Sequence, residues 1–157
     1  YLKNLHLAQI LHFADIKNNE KVLHIGGLTG YLSVLIAKLC KKIYVTDNDQ
    51  SFVDSINKNF SNNEVANGEV LKEEFSEGLK SKGPYDLIVI DCPQYNFNLD
   101  LLNQVNVGGR IIYIEKINEE LSKAYKMIKY EDNFSKVFLF DVFSNFYLTK
   151  KEEGFNF

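Results

Sequence analysis

Apolar and polar residues alternate along this chain in blocks that predict helices and strands in turn. Between residues 4 and 15 the apolar positions recur at spacings of three and four, which indicates an amphipathic helix. Short apolar runs further on predict five strands, and helical or turn-like segments separate them. The predicted strands are residues 22–25, 43–46, 65–69, 85–91 and 111–114, and the predicted helices are residues 31–39, a segment that begins near Asp49 or Ser51, residues 71–80 and a segment around Leu99 and Leu102.

The second half of the chain indicates how these strands associate. Residues 87–90 are consecutive apolar residues without alternation, which is typical of a strand covered on both faces of a parallel sheet. Residues 122–130 and 136–143 alternate loosely around the turn-like segment 131–133, which predicts an antiparallel pair at a sheet edge. We therefore expect one α/β domain over residues 1–157, with a Rossmann-like, doubly wound, seven-stranded sheet that is mostly parallel and ends in an antiparallel strand pair.

The composition is that of an ordinary globular protein and argues against several classes of function. Of the 157 residues, 45% are hydrophobic and 25% are charged, and the formal net charge is −3. A nucleic-acid partner is not expected, because such proteins usually present a basic surface. No apolar stretch approaches the roughly 18 residues that span a bilayer, so no membrane partner is expected either. Cys40 and Cys92 lie far apart, which predicts no metal site and a reducing, cytoplasmic location.

The segment KVLHIGGLTG, residues 21–30, joins a predicted strand to a predicted helix through a glycine-bearing turn. Asp47 ends the next predicted strand about 20 residues later, and this arrangement predicts nucleoside binding. The dinucleotide fingerprint G-x-G-x-x-G does not fit, since counting from Gly26 puts Leu28 and Tyr31 where the later glycines belong. A phosphate-binding P-loop does not fit either, because no Gly-Lys-Ser/Thr sequence follows the turn.

The glycine turn and its surroundings resemble a known family. The spacing of His24, Gly26, Gly30 and Tyr31 resembles motif I of the class I S-adenosylmethionine-dependent methyltransferases, usually Asp/Glu-x-G-x-G-x-G, and Asp47 matches the acid that ends their second strand. More narrowly, an ordered set of segments is similar to the protein-L-isoaspartate O-methyltransferase family, particularly its short bacterial members. These segments are KVLHIGGLTGYLSVLIAKL, PYDLIVID, VGGRIIYI and the ending EGFNF at residues 153–157.

The resemblance implies S-adenosylmethionine as cofactor and, as substrate, the free α-carboxylate of L-isoaspartyl residues in damaged proteins. A carboxylate is already ionised at neutral pH, so its methylation requires proximity and orientation rather than a strong general base. Asp47 would bind the ribose, and Glu69 would lie near the adenine as the acid after the third strand. Asp91 ends a central strand, where open α/β sheets bind ligands. The predicted cofactor-binding residues are His24, Gly26, Gly27, Gly30, Asp47, Glu69 and Asp91.

Three features depart from the family pattern. His24 stands where the family has an acid, and two roles are open to it: accepting a hydrogen bond from the cofactor's amino group, or satisfying a neighbouring backbone group. Leu28 replaces the middle glycine of the turn, and we expect its side chain to crowd the methionine portion of the cofactor and reduce affinity. The family's hydroxyl-bearing substrate loop corresponds to residues 1–4, which contain no Ser or Thr. The helical segment that precedes this loop in the family has no counterpart in these 157 residues.

Two alternative functions are compatible with the sequence. Residues 91–95, DCPQY, distantly resemble the Asp/Asn-Pro-Pro-Tyr/Phe motif of methyltransferases that modify amino groups of nucleic acids or protein amides, although the second proline is missing. A degenerate methyltransferase domain that binds a partner without catalysis would account for His24, Leu28 and the altered substrate loop. The sequence predicts no particular oligomeric state.

Overall fold

The computed structural model describes residues 2–143; Tyr1 and the ending at residues 153–157 lie outside the described residues. Strands alternate with helices and short 3₁₀ turns through the first two thirds of this range. The strands are β1 (Lys21–Ile25), β2 (Lys42–Asp47), β3 (Gly68–Lys72), β4 (Tyr85–Gln94), β5 (Val105–Lys116), β6 (Ser122–Lys129) and β7 (Phe134–Val142). The helices are α1 (Asn4–Ala14), α2 (Tyr31–Ala37) and α3 (Gln50–Asn62), and the 3₁₀ turns are Phe75–Glu77, Lys80–Lys82 and Leu99–Gln104.

The seven strands form one sheet in the order β3-β2-β1-β4-β5-β6-β7. The first five are parallel to one another, whereas β6 pairs antiparallel with β5 and β7 pairs antiparallel with β6. The predicted α/β sheet with a C-terminal antiparallel pair is therefore confirmed. Between residues 2 and 143, no helix combines the length and the hydropathy that crossing a bilayer requires.

Burial on both faces explains the apolar run in β4. Leu87 and Val89 pack on the face covered by α1, α2 and α3, while Ile88 and Ile90 pack on the other face with Leu101 of a 3₁₀ turn. All four β4 side chains are at most 1% exposed. The absence of polar residues between positions 87 and 90 therefore reflects a strand with no solvent-facing side.

The predicted boundaries of the third strand are wrong. The sequence Asn67-Gly68 reads locally as a turn, but residues 68–72 pair with residues 43–47 of β2, so the strand starts at Gly68 and runs to Lys72. The following segment contains two 3₁₀ turns rather than the predicted helix over residues 71–80. Pairing with β2 decides this region, because its own pattern of apolar residues is weak.

The end of α1 is tied to the sheet by Arg110 of β5. Its guanidinium donates two parallel hydrogen bonds to Glu20, of 2.7 and 2.9 Å, and Nε donates a 2.7 Å bond to the carbonyl of Ala14 at the end of the helix. The arginine and glutamate side chains are 12% and 14% exposed. Such a paired, largely buried guanidinium fixes the position of α1, whose first turn borders the candidate site.

The strand order reverses beside β1, which lies between β2 and β4. In open α/β sheets, ligands bind outside the carboxyl ends of the strands at such a reversal. The turn at residues 26–30 follows β1 directly, and Asp91 lies in the last part of β4. The topology therefore brings these two segments to the same edge of the sheet.

Candidate functional site

A cavity of about 230 Å³ lies at this edge. The turn after β1 and the start of α2 form one wall, the end of β4 forms a second, and the N-terminal segment with α1 forms a third. Among the described residues that line it, Asp91 is the charged one, and the others are apolar or neutral. The lining residues are Leu2, Asn4, Leu7, Gly27, Leu28, Thr29, Tyr31, Leu32, Asp91, Cys92 and Pro93.

The glycines shape the turn between β1 and α2. Gly26 has a φ of 76° and donates a 2.8 Å hydrogen bond to the carbonyl of Thr46 in β2. Gly30 has a φ of 89° at the residue before α2, a left-handed conformation that favours glycine. At Gly27, a Cβ atom would come within 2.5 Å of Val45 Cγ1, so the absence of a side chain lets the turn pack onto β2. Of these three glycines, Gly27 lines the cavity.

Leu28 closes this turn over the carboxylate of Asp47. Its φ is 52°, and its main-chain N–H donates a 3.2 Å hydrogen bond to Asp47 Oδ2, while the N–H of Asp49 donates a 3.1 Å bond to Oδ1. Asp47 has no exposed surface, and this burial raises the pKa of its carboxyl group. The leucine lines the cavity and Asp47 does not, so Leu28 separates the carboxylate from the open space.

His24 and Asp91 form a buried pair between β1 and β4. Val89 of β4 is the register partner of His24, and Asp91 lies two residues further on, so both side chains emerge on the face that α2 covers. His24 Nε2 lies 2.7 Å from Asp91 Oδ1, and Nδ1 lies 2.7 Å from the hydroxyl of Ser33 in α2. His24 is fully buried, whereas Asp91 keeps 9% of its surface exposed and reaches the cavity.

Ser33 is the functional neighbour that the sequence interpretation missed. The sequence did carry a signal for it: Ser33 is the one hydroxyl residue in the otherwise apolar helical run LSVLIA. A buried polar group requires a hydrogen-bond partner, so this position indicated a polar contact inside the fold. Its partner is His24, nine residues earlier in the chain, and this contact depends on how α2 packs across the sheet.

Glu69 does not join the site, which corrects its predicted place at the end of the third strand. It is the second residue of β3, pairs in register with Tyr44, and its carboxylate lies 3.9 Å from Lys82 Nζ. The acid that follows the carboxyl end of β3 is Glu73, whose N–H donates a 3.1 Å hydrogen bond to the carbonyl of Asp47. The misplaced strand boundary accounts for the error.

Cys92 lies beside Asp91 with its thiol turned toward the backbone. Its sulfur is 3.7 Å from the carbonyl of Gly26, and 4% of the residue is exposed. Burial raises the pKa of the Cys92 thiol well above its usual value, with the neighbouring Asp91 carboxylate adding to the effect. A thiol in this state is protonated at neutral pH and acts as a small apolar wall residue rather than as a nucleophile.

Comparison with known sequences identifies the family to which this arrangement belongs. The family model described as Protein-L-isoaspartate(D-aspartate) O-methyltransferase (PCMT) matches residues 3–147. The chain belongs to this family. A protein-L-isoaspartate O-methyltransferase of Dictyoglomus turgidum is 30% identical over 135 residues, covering 82% of this chain and 58% of the relative. That of Pyrococcus horikoshii is 27% identical over 132 residues, covering 83% of this chain and 60% of the relative.

Solved structures share the fold of this PCMT-family chain. A protein-L-isoaspartate O-methyltransferase superposes with a TM-score of 0.79 at 16% identity, over 93% of this chain and 47% of that one. A protein described as a putative member from Plasmodium falciparum, in complex with S-adenosyl-L-homocysteine, superposes with a TM-score of 0.75 at 17% identity, over 95% and 74% of the two chains. The chain thus spans about half to three fifths of the length of the curated relatives it matches.

Two features of the PCMT-family site determine how S-adenosylmethionine fits it. Asp91 gives the cavity an anionic group, which suits a ligand that carries an ammonium and a sulfonium. The carboxylate of Asp47, in contrast, is sealed by Leu28, and the cavity volume is below the roughly 300–1,000 Å³ of typical ligand pockets. In this conformation the lining therefore suits the positively charged end of such a ligand, whereas the Asp47 carboxylate is closed to it.

Proposed function

We propose that this protein binds S-adenosylmethionine and transfers its methyl group to the α-carboxylate of L-isoaspartyl residues in proteins. The observation that carries the proposal is the cavity between β1 and β4 in a chain of the PCMT family, with Gly27 and Asp91 in its walls. His24 adjoins this wall through Asp91, and the Gly26–Gly30 turn adjoins Asp47. Two free, buried cysteines support a reducing, cytoplasmic location.

The chemistry of the lining suits transfer to a carboxylate. Such a nucleophile needs no general base at neutral pH, and the lining residues between positions 2 and 143 include no Lys, Arg or His that would act as one. What the protein must supply is alignment of the reacting groups and exclusion of water. The apolar side chains of Leu2, Leu7, Leu32 and Pro93 suit the second requirement.

Asn4 is our candidate for contact with the substrate carboxylate. It begins α1 and lines the cavity, close to where the resemblance puts a hydroxyl-bearing loop. The asparagine amide donates hydrogen bonds, as a hydroxyl does, and its side chain is exposed enough to meet an incoming peptide. In this proposal it takes the place of the missing Ser or Thr.

Two measurements test the proposal. Calorimetry with S-adenosylmethionine and S-adenosylhomocysteine is expected to detect binding, and the protein should methylate an isoaspartyl peptide but not the same peptide with normal aspartate. If a folded sample shows no heat of binding at millimolar ligand, the proposed binding of S-adenosylmethionine is contradicted. Binding without methylation of the isoaspartyl peptide would support cofactor binding and contradict the substrate assignment.

The amino-methyltransferase alternative has weaker support. The matching family is named for O-methyl transfer, and residues 91–95 contain a single proline where the amino-methyltransferase motif has two. Methyl transfer to RNA, DNA or a protein amide, with none to the isoaspartyl peptide, would reverse this order of preference.

A further inference from the structure

We propose that the Asp91 carboxylate binds the ammonium group at the amino-acid end of the cofactor, and that His24 is the positioning residue that holds this carboxylate in place. The inference rests on the proposed function and names the anionic contact of that site. It differs from the sequence interpretation in which His24 itself accepts a hydrogen bond from the ligand.

One oxygen of the Asp91 carboxylate is free to accept a hydrogen bond from a ligand. Oδ1 lies 2.7 Å from His24 Nε2, and among residues 2–143 that histidine is the only hydrogen-bond partner of the carboxylate. The second oxygen, Oδ2, is therefore available as an acceptor in a residue that lines the cavity and is only 9% exposed. A carboxylate in such surroundings gains most from a ligand that brings both a positive charge and a donor.

The ammonium is the group of the cofactor that suits this free oxygen. S-adenosylmethionine carries two positive groups, and only the ammonium has N–H bonds to donate. The sulfonium has none and is attracted to a carboxylate by charge alone. Because Asp91 offers an unused acceptor oxygen as well as a charge, its chemistry matches the ammonium.

His24 lies behind Asp91 and does not reach the cavity. It is fully buried, and both ring nitrogens are engaged: Nδ1 lies 2.7 Å from Ser33 Oγ and Nε2 lies 2.7 Å from Asp91 Oδ1. All three groups are satisfied when the Ser33 hydroxyl donates to Nδ1 and Nε2–H donates to Asp91. His24 therefore acts through Asp91: its hydrogen bond to Oδ1 fixes the orientation of the carboxylate.

A ligand series separates this contact from the rest of the site. S-adenosylmethionine and S-adenosylhomocysteine both carry the ammonium, whereas 5′-methylthioadenosine lacks the whole amino-acid end. Asp91→Asn keeps the shape and the acceptor for His24 while removing the charge. We expect this variant to bind the first two ligands about 10- to 100-fold more weakly and 5′-methylthioadenosine as well as the parent does. Dissociation constants are measured by calorimetry in wild type and in a Leu28→Gly background, because Leu28 covers Asp47.

Variants of the histidine test the positioning role. In His24→Gln the amide nitrogen occupies roughly the place of Nε2 and can donate to Asp91, so affinity should stay within about threefold of the parent. His24→Leu removes the donor and should reproduce the ligand-selective loss of Asp91→Asn. Simple structural damage would weaken all three ligands together, and thermal unfolding of each variant identifies it.

The outcomes distinguish this inference from the proposed function. Equal losses for all three ligands in Asp91→Asn, or a loss confined to S-adenosylmethionine, would overturn the ammonium contact and leave the proposed function standing. Failure of all three ligands to bind either background would remove the proposed function, and this inference with it.

Discussion

The main-chain N–H of Leu28 donates a 3.2 Å hydrogen bond to Oδ2 of Asp47, joining the turn after β1 to the carboxylate that ends β2. The leucine adopts a left-handed φ of 52° to make this contact, and Asp47 is left without exposed surface. The residue that stands in place of a glycine thus occupies the approach to the acid predicted to bind the ribose. Four predictions follow from this site and from the Arg110–Glu20 contact that holds α1 beside it, and each can be measured.

The stability of variants at position 28 should reverse the usual order of alanine and glycine. Leu28 is 8% exposed, so Leu28→Ala loses buried contacts and should lower the free energy of unfolding by about 2–3 kcal/mol. Glycine loses the same contacts but adopts a left-handed φ without strain, so Leu28→Gly should be about 1 kcal/mol more stable than Leu28→Ala.

Chemical denaturation measures this order, with Leu32 as the control. That residue is 3% exposed within α2, where glycine should be the less stable replacement by about 1 kcal/mol. The same order of alanine and glycine at both positions would contradict the left-handed conformation of Leu28.

Cofactor affinity should rise when the Leu28 side chain is removed. If the turn must move before a ribose reaches Asp47, the apparent affinity is reduced by the fraction of molecules in which it has moved. Leu28→Gly should therefore bind S-adenosylhomocysteine about tenfold more tightly than wild type. Calorimetry measures the change, and Leu39→Ala, at a 44% exposed position outside the cavity lining, serves as control. An unchanged dissociation constant in Leu28→Gly would show that the side chain does not obstruct the cofactor.

The burial of Asp47 predicts a pH dependence of stability. Its pKa is raised above the value of 3.8 for an unperturbed aspartate, so the folded state binds more protons than the unfolded state between these two values. Its contribution to stability is therefore present below pH 3.8 and declines as pH rises through the raised pKa. Relative to wild type, Asp47→Asn should gain stability as the pH is raised from about 4 to 7.

Urea denaturation across this pH range measures the difference between the two proteins, which cancels the titration of groups they share. Asp49→Asn is the matched control, because the hydrogen bonds from Ser51 lower the pKa of Asp49. Relative to wild type, that variant should stay nearly level between about pH 5 and 7 and gain stability only as the pH falls below about 4, because a lowered pKa acts below 3.8. Parallel curves for wild type and Asp47→Asn would mean that the Asp47 carboxylate is not buried in solution.

The contact of Arg110 with Glu20 should contribute substantially to stability. Arg110→Ala leaves the Ala14 carbonyl without its donor and the largely buried Glu20 carboxylate with only the main-chain N–H of Lys17, and should cost about 3–5 kcal/mol. Arg110→Lys keeps the charge but loses the two parallel bonds, so we expect an intermediate loss. Lys17, which pairs with Asp15 at 62% side-chain exposure, is the control: its alanine variant should lose little stability. Similar losses at both positions would contradict the structural role of Arg110.

The amino-acid sequence by itself determined most elements of the fold and its family. The helical spacing of residues 4–15 and the apolar run 87–90 could be read without coordinates, because each depends on which residues are neighbours along one element. The same holds for the glycine turn followed by Asp47. A locally weak strand such as β3 was misplaced, since its start and end are decided by hydrogen bonds to β2.

Only the tertiary structure decided which groups the candidate site residues contact. His24 could not be assigned from its position alone, because its partners Ser33 and Asp91 lie nine and 67 residues away and meet it through packing of α2 and β4 on β1. The sealing of Asp47 likewise depends on the backbone conformation of Leu28. Local patterns determine elements because they report burial, whereas roles within a site depend on distances between residues that are far apart in the chain.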